Sequence, residues 1–275
     1  MGKVIACVNE KGGVGKSTVV KNLSAGLVRN GKKVLVIDID PSASLTKMFG
    51  MQSDEETGTI LDILDAMISM TDELPEKFGI LQQKSRFEED AEPEGMDIIT
   101  SSSDLNSYQT NVEKAMQREL LLDRYLENVR GDYDYILIDS PGGLGVYTEN
   151  ALFAADSVLI PTKAEAADIE SMQNVFEKIA LIRRLRRTNG PEIMGILFNM
   201  VQLNTNNDRS VMENYQDSAG ENVHFFKTYI PRLVKVKESD IPHQSVFRYA
   251  EKSQAAMLYG DFVNEFLELE KSRRK

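Results

Sequence analysis

The chain has 275 residues, 41% of them hydrophobic and 27% charged, with a formal net charge of −11, a length that suits one large α/β domain spanning 1–275. No stretch approaches the ~18 uncharged apolar residues of a membrane span, and the run Val4-Ile5-Ala6-Cys7-Val8 is too short for a secretory signal, so the expectation is a cytoplasmic protein with no membrane partner. The single cysteine, Cys7, excludes an internal disulfide framework and any cluster in which one chain supplies several thiolates; in a strand it reads as a small core residue.

In chain order, Lys3 to Asn9 reads as a short β-branched strand. A glycine-rich turn follows, and Val19, Val20, Leu23, Leu27 and Val28 then fall on one face of a helix. Asn30-Gly31 closes that helix with a residue suited to positive φ, and Lys33 to Asp38 is a buried second strand ending in a carboxylate. These strands are continuous apolar runs, as expected when helices cover both faces of a parallel sheet. Similar runs recur at 135–139, 157–161 and 193–198, with helical patterns between them. The expected architecture is therefore α/β: a doubly wound, mostly parallel sheet with helices on both faces.

Between the second strand and Tyr135 the pattern is least regular. Ile60, Leu61, Ile63, Leu64, Met67 and Ile68 suit an amphipathic helix, and Glu88 to Glu94 is acidic, so about 51–95 reads as an acidic, less regular insertion. Residues 112–130 and 168–188 read as helices, as does the stretch from Ala250 to Lys271, where Met257, Leu258, Phe262, Phe266 and Leu269 form a core-packing stripe. The net charge speaks against nucleic acid, whose binding relies on clustered Lys and Arg. Its distribution weakens that objection, because residues 51–100 hold 14 acidic and three basic residues and the rest of the chain holds 29 of each sign.

The turn after the first strand carries the chemistry. Lys11-Gly12-Gly13-Val14-Gly15-Lys16-Ser17 joins a buried strand to a helix, so backbone N–H groups, the helix N-terminus and a lysine charge converge on one anion site. Lys16 is placed for the β- and γ-phosphates of a nucleotide, the Ser17 hydroxyl for Mg²⁺, and Thr18 for the α-phosphate. The ordinary phosphate-loop pattern needs glycine at position 10, where this chain has Glu10. What fits is [KR]-G-G-x-G-K-[ST], and on this motif the chain resembles the ParA/MinD family of ATPases with the deviant Walker A form of the P-loop.

The resemblance implies that Lys11 reaches across a nucleotide-bound homodimer to the partner's phosphates, with two ATP molecules sandwiched between the copies. Val36-Ile37-Asp38-Ile39-Asp40-Pro41 looks like the family's second motif, usually D-x-D-P-Q, with Ser42 here in the last place. It implies that Asp40 orients or activates the attacking water, while Asp38 supports either the metal's water shell or the loop. Asp139 matches the strand-end aspartate that holds Mg²⁺; the usual D-x-P-P continues here as Asp139-Ser140-Pro141-Gly142. Asn150-Ala151-Leu152, Ala155 to Pro161 and Thr228-Tyr229-Ile230-Pro231-Arg232 extend the likeness over most of the chain outside about 51–95. Asn199 and Pro231 are candidates for the adenine, although backbone hydrogen bonding explains a strand-end amide equally well.

Family members that partition DNA bind it without sequence preference as ATP dimers, are nucleoid-associated in that state, and have hydrolysis stimulated by a ParB-like centromere-binding protein. The resemblance thus implies an ATP-dependent DNA-partitioning ATPase that turns over slowly on its own, with ATP and Mg²⁺ as cofactors. Arg209, Arg232, Lys235 and Lys237 are the DNA-contact candidates by analogy. Arg183, Arg184, Arg186 and Arg187 also cluster, but a helix C-terminus favours cations for its own reasons. A MinD-like membrane-positioning ATPase is the alternative, as is a relative that positions a protein cargo. The tail 262–270 sets acidic residues beside its apolar ones, unlike the basic polar face that anionic bilayers favour.

Overall fold

The computed structural model describes residues 1–51, 57–70, 77–82, 94–165, 168–186, 190–202, 206–219 and 223–273. Elements run β1 (Lys3–Cys7), α1 (Lys16–Arg29), β2 (Val34–Asp38), α2 (Ser44–Met48), α3 (Ile60–Ile68), β3 (Ile80–Gln82), β4 (Asp97–Ile99), α4 (Leu105–Lys114), α5 (Leu121–Val129) and β5 (Tyr135–Asp139). They continue with α6 (Val146–Ala154), β6 (Ser157–Thr162), α7 (Asp168–Leu185), β7 (Glu192–Val201), α8 (Asn206–Ala219), β8 (Ile230–Pro231), α9 (Val234–Glu238), α10 (Val246–Tyr249) and α11 (Gln254–Arg273). One sheet has the order β3-β4-β2-β5-β1-β6-β7-β8, and only the edge strand β3 runs antiparallel to its neighbour. This is the doubly wound, mostly parallel sheet expected from the alternating apolar runs.

Every central strand is apolar on both faces because each face has its own core. Val4, Ala6, Leu35, Ile37, Ile136, Ile138, Val158 and Ile160 pack with α3 to α8 on one side. Ile5, Cys7, Val34, Val36, Leu137 and Leu159 pack with α1, α2, α10 and α11 on the other. Phe262 and Phe266 of α11 are fully buried there, and burial of a side chain this size contributes roughly 1.5–3 kcal/mol. Of the stripe expected along the tail, Phe262 and Phe266 are thus spent on the core and Leu258 and Leu269 are half-buried against it, whereas Met257 is exposed and does not belong to it. No helix among the described residues is long and apolar enough to cross a membrane.

Two local expectations change. The helix expected over 112–130 is two helices, α4 and α5, separated by a turn in which Gln117 takes φ 51°. Asn150 of α6 accounts for the break: its amide donates to the Arg118 carbonyl (2.7 Å) and accepts from the Leu122 N–H (3.2 Å), so the backbone between the helices is satisfied from outside. Of the acidic region at about 51–95, residues 52–56, 71–76 and 83–93 lie outside the described residues. Its described parts include α3, opened by a Thr59/Asp62 capping box, and β3, which extends the sheet through β4.

Helix α1 packs tightly against α11 and α10 at Gly26, where a Cβ would stand 2.5 Å from Val263 Cγ2 and 3.2 Å from the Phe247 ring. Gly26→Leu is expected to cost about 1–3 kcal/mol through overpacking, read as a lower urea midpoint at unchanged slope. A neutral result would show that the two helices can part at no cost.

Candidate functional site

The site forms where β2, β5 and β1 end side by side. Cys7 is in register with Asp139 and Asp139 with Asp38, so two carboxylates and the start of the loop share one level at the carboxyl edge of the sheet. That edge is where open α/β sheets bind ligands.

Asn9 fixes the path of the loop. It is fully buried, its amide donates to the Pro161 carbonyl (2.8 Å), and its oxygen accepts from the Lys11 N–H (2.9 Å) and the Ser171 hydroxyl (3.2 Å). Gly13 and Gly15 take the left-handed conformation, with φ 71° and 90°. At Gly15 a Cβ would lie 2.2 Å from the Asn199 amide nitrogen, which itself donates to the Val14 carbonyl (2.8 Å). Lys16 opens α1 and is buried; its ammonium donates to the carbonyls of Asn9 and Lys11, each at 3.2 Å. A cation held inside a ring of loop carbonyls, below exposed Gly12 and Gly13, is poised to receive an anion seated on the loop.

The carboxylates differ sharply in their surroundings. Asp38 accepts from the Asp40 N–H (3.1 Å), the Thr46 N–H (2.9 Å) and the Thr46 hydroxyl (2.7 Å). Burial pushes its carboxyl up to about 6 despite those bonds. Asp139 is also fully buried; its oxygens make no hydrogen bond of ordinary geometry, and the Ser17 hydroxyl is the neighbour that approaches them. Burial holds its carboxyl well above the usual range and the Asp38 charge adds to this, while the nearby Ser17 hydroxyl and the Lys16 ammonium oppose it. An orphaned buried carboxylate beside a serine hydroxyl is the donor set a hard divalent cation fits. Of the three aspartates, Asp139 has this open valence, whereas Asp38 spends its oxygens on the turn carrying Asp40.

Asp40 lies at the mouth, where its oxygen accepts from the Ser42 N–H (2.8 Å) and its carbonyl from the Ser101 hydroxyl (2.7 Å). It lines a cavity of about 440 Å³ with Gln109, Pro141, Gly142 and Tyr147. The segment after Asp139 folds over the loop: the Gly143 N–H donates to the Glu10 carbonyl (2.7 Å) and the Ser140 hydroxyl to the Cys7 carbonyl (2.9 Å). A Cβ on Gly142 would stand 3.3 Å from the Gly12 nitrogen. Glycine in place of the family's second proline thus sits where the two turns touch. The Glu10 carboxylate points away from the loop and accepts from Asn174 of α7 (2.8 Å).

Lys11, Gly12, Gly13, Val14, Gly15, Lys16, Ser17, Thr18, Asp40 and Asp139 are thus brought together. Asn199 is adjacent, but its amide is committed to Val14 and its oxygen to the Met200 N–H (3.0 Å). Pro231, on the edge strand β8, pairs with Val201 of β7. Arg232, Lys235 and Lys237 follow β8 and are exposed; Lys235 pairs with Glu238 at 2.8 Å. Arg209 and Arg187 lie where the side chains are outside the described residues. Sequence reading missed Asn9, Thr46, Ser140 and Asn174, whose polarity within or beside apolar runs was the available signal.

A family model described as an AAA domain matches residues 2–190. The chain is 33% identical over 265 residues to the sporulation initiation inhibitor protein Soj of Bacillus subtilis (strain 168), covering 96% of this chain and 98% of that one. It is 29% identical to the chromosome partitioning protein ParA of Caulobacter vibrioides, covering 99% and 96%. Among solved structures, cobyrinic acid a,c-diamide synthase from Mycobacterium smegmatis, with bound ATP analog and magnesium, superposes with a TM-score of 0.80 at 25% identity over 100% of this chain and 98% of that one.

The loop geometry makes a direct demand on sequence. Gly15→Ala forces a Cβ into the Asn199 amide at a left-handed φ, and Lys16→Ala removes the central charge. Each is expected to weaken a fluorescent ATP analogue by about 100-fold or more, the worth of two charge-assisted bonds, with the circular dichroism spectrum unchanged. Tight binding by Gly15→Ala would contradict the wedge against Asn199.

Proposed function

Because this chain belongs to the ParA/MinD family of P-loop ATPases, on its ParA/Soj-type side, we propose that it is an ATP-dependent DNA-partitioning ATPase. On this reading MgATP drives homodimerisation and non-specific DNA binding, and a ParB-like centromere-binding protein stimulates hydrolysis. The observation that carries the ATPase part is the orphaned Asp139 carboxylate, buried beside Ser17 at the mouth of a loop whose centre is the Lys16 ammonium.

The division of labour follows from the surroundings. The N–H groups of 12–18 and the N-terminus of α1 bind phosphate oxygens, and Lys16 leaves its two carbonyls to follow the β- and γ-phosphates. Ser17 and Asp139 would hold Mg²⁺, which would supply charge neutralisation at the phosphates. Asp40, carried on the turn that Asp38 stiffens, orients the water that attacks the γ-phosphorus. Phosphoryl transfer needs positioning more than a strong base, so an accessible carboxylate suffices. Lys11, at the outer rim of the loop, is assigned to the partner copy's phosphates.

The DNA part is supported by charge placement. Arg232, Lys235 and Lys237 are exposed within six consecutive residues of a chain whose excess acidity is concentrated in 51–100. Asn199 and Pro231 remain the adenine candidates, with one Asn199 N–H already used by Val14. Burial of Phe262, Val263 and Phe266 removes the feature that would favour the membrane-positioning alternative.

Two measurements test the reading. DNA is expected to retain the protein with ATP at moderate salt, and charge reversal at Arg232 and Lys237 should weaken retention by about tenfold or more while leaving ATP affinity unchanged. No ATP-dependent retention even at low salt would remove DNA partitioning and leave the ATPase. In the second, Asp40→Ala should keep ATP and accumulate as a dimer in light scattering; rapid turnover by that variant would take Asp40 out of the hydrolytic step.

A further inference from the structure

The helix that begins at the phosphate loop carries a second buried lysine. Lys21 lies five residues after Lys16, about 7–8 Å further along α1, and its side chain is fully buried. Its ammonium donates to the Asp240 carboxylate (2.8 Å) and to the Ser239 carbonyl (3.4 Å). Burial lowers its pKa while the Asp240 charge works against that shift. Folding alone does not explain such a residue, because replacing both members of a buried ion pair by apolar side chains of similar volume is often neutral or stabilising.

The next residue makes a parallel contact. The Asn22 oxygen accepts from the Val246 N–H (2.9 Å) at the first turn of α10, and its amide donates to the Thr18 carbonyl (2.9 Å) in the first turn of α1. Two consecutive residues of α1 thus hold both ends of the turn 239–246. That turn is tight: the Gln244 N–H donates to the Ser239 carbonyl (3.0 Å), and His243 takes φ 57°. It is the direct continuation of α9, where Lys235, Lys237 and the 71%-exposed Val234 lie, and it carries Ile241, which is 79% exposed.

We propose that Lys21 and Asn22 latch the phosphate-loop helix to the turn 239–246, so that a polyphosphate seated at the N-terminus of α1 sets the position of the basic segment 232–241. A ligand that draws the loop onto its phosphates moves the first turn of α1, and the ion pair passes that displacement to a surface segment that touches no phosphate itself. Lys21 and Asp240 are positioning residues under this scheme, not catalytic ones. The proposal rests on the polyphosphate reading of the loop and not on the identity of the surface partner.

Hydrogen exchange on the full chain tests it, with MgATP and with magnesium tripolyphosphate, which engages the loop but has no adenine to contact Pro231 directly. In the unaltered protein both ligands should slow exchange at 11–18 and, by about fivefold or more, at 230–246, the lower end of ordinary coupling strengths. Lys21→Met should keep its tripolyphosphate affinity and its protection at 11–18, yet lose the protection at 230–246. If Lys21→Met misfolds, the double variant Lys21→Met/Asp240→Asn, which leaves neither charge unpaired, serves in its place. Undiminished protection at 230–246 in either variant overturns the latch, as does its absence in the unaltered protein while 11–18 is protected. Absence at 11–18 as well would strike at the polyphosphate reading itself.

Discussion

The site depends on one tight contact, the wedge between Gly15 and Asn199. The turn from β1 into α1 must bring the N-terminus of a helix over the edge of the sheet, and it does so with left-handed backbone at Gly13 and Gly15. The missing side chain at Gly15 leaves space that the Asn199 amide fills, and that amide ties the loop to β7 through the Val14 carbonyl. From the other side Asn9 ties it to β6 and α7. A loop pinned to two strands through Asn9 and Val14 has few arrangements open to it before a ligand draws it onto its phosphates, so less ordering entropy is lost on binding. The same pinning sets where Lys16 and Ser17 stand against Asp139.

Electrostatics around this turn are unfinished in a way that has a direction. Asp38 is as buried as Asp139, but three hydrogen bonds answer its charge. Asp139 has no such set, only the approach of the Ser17 hydroxyl, and Lys16 spends its charge on carbonyl oxygens. Leaving a buried carboxylate unsatisfied costs folding free energy, and the group that removes the cost is a cation brought in with a ligand. The fold therefore carries at its carboxyl edge, at Asp139, a deficit that a cation brought in with a ligand would cancel. Asp38 and Asp139 also show that strand-end aspartates in one register need not share a role: the partner each finds decides it.

Much of this was legible in the residues. Continuous apolar strands, the glycine pattern and strand-end carboxylates are local signals, and they placed β1, α1, β2, β5, β6 and the phosphate loop to within a residue or two at most boundaries. The short strands β3, β4 and β8 were not legible, since two or three residues carry no periodicity. The break at 115–120 was hidden because its cause, the side-chain amide of Asn150, lies some 30 residues away and bonds the backbone of Arg118 and Leu122. Asn199 drew attention as a strand-end amide, but its engagement with Val14 follows from the packing of β7 beside β1–α1. Polar residues that hold a loop in place look in sequence like any buried exception.

Helix α1 unites these observations, because its successive turns serve different tasks. Its first turn, through Lys16 and Ser17, belongs to the anion site. Its second, through Lys21 and Asn22, grips the turn 239–246. Its third, at Gly26, admits α11 to a distance that no other residue allows, and Asn30 closes its C-terminus by donating to the Gly26 carbonyl. A helix held at four levels cannot adjust at one without loading the rest, and packed interiors transmit strain because they compress so little. The polar grip in the middle is the part that apolar packing would not have required. Charge buried along a rod whose tip receives phosphate is what ties the chemistry at the edge of the sheet to a surface on the far side of the helix.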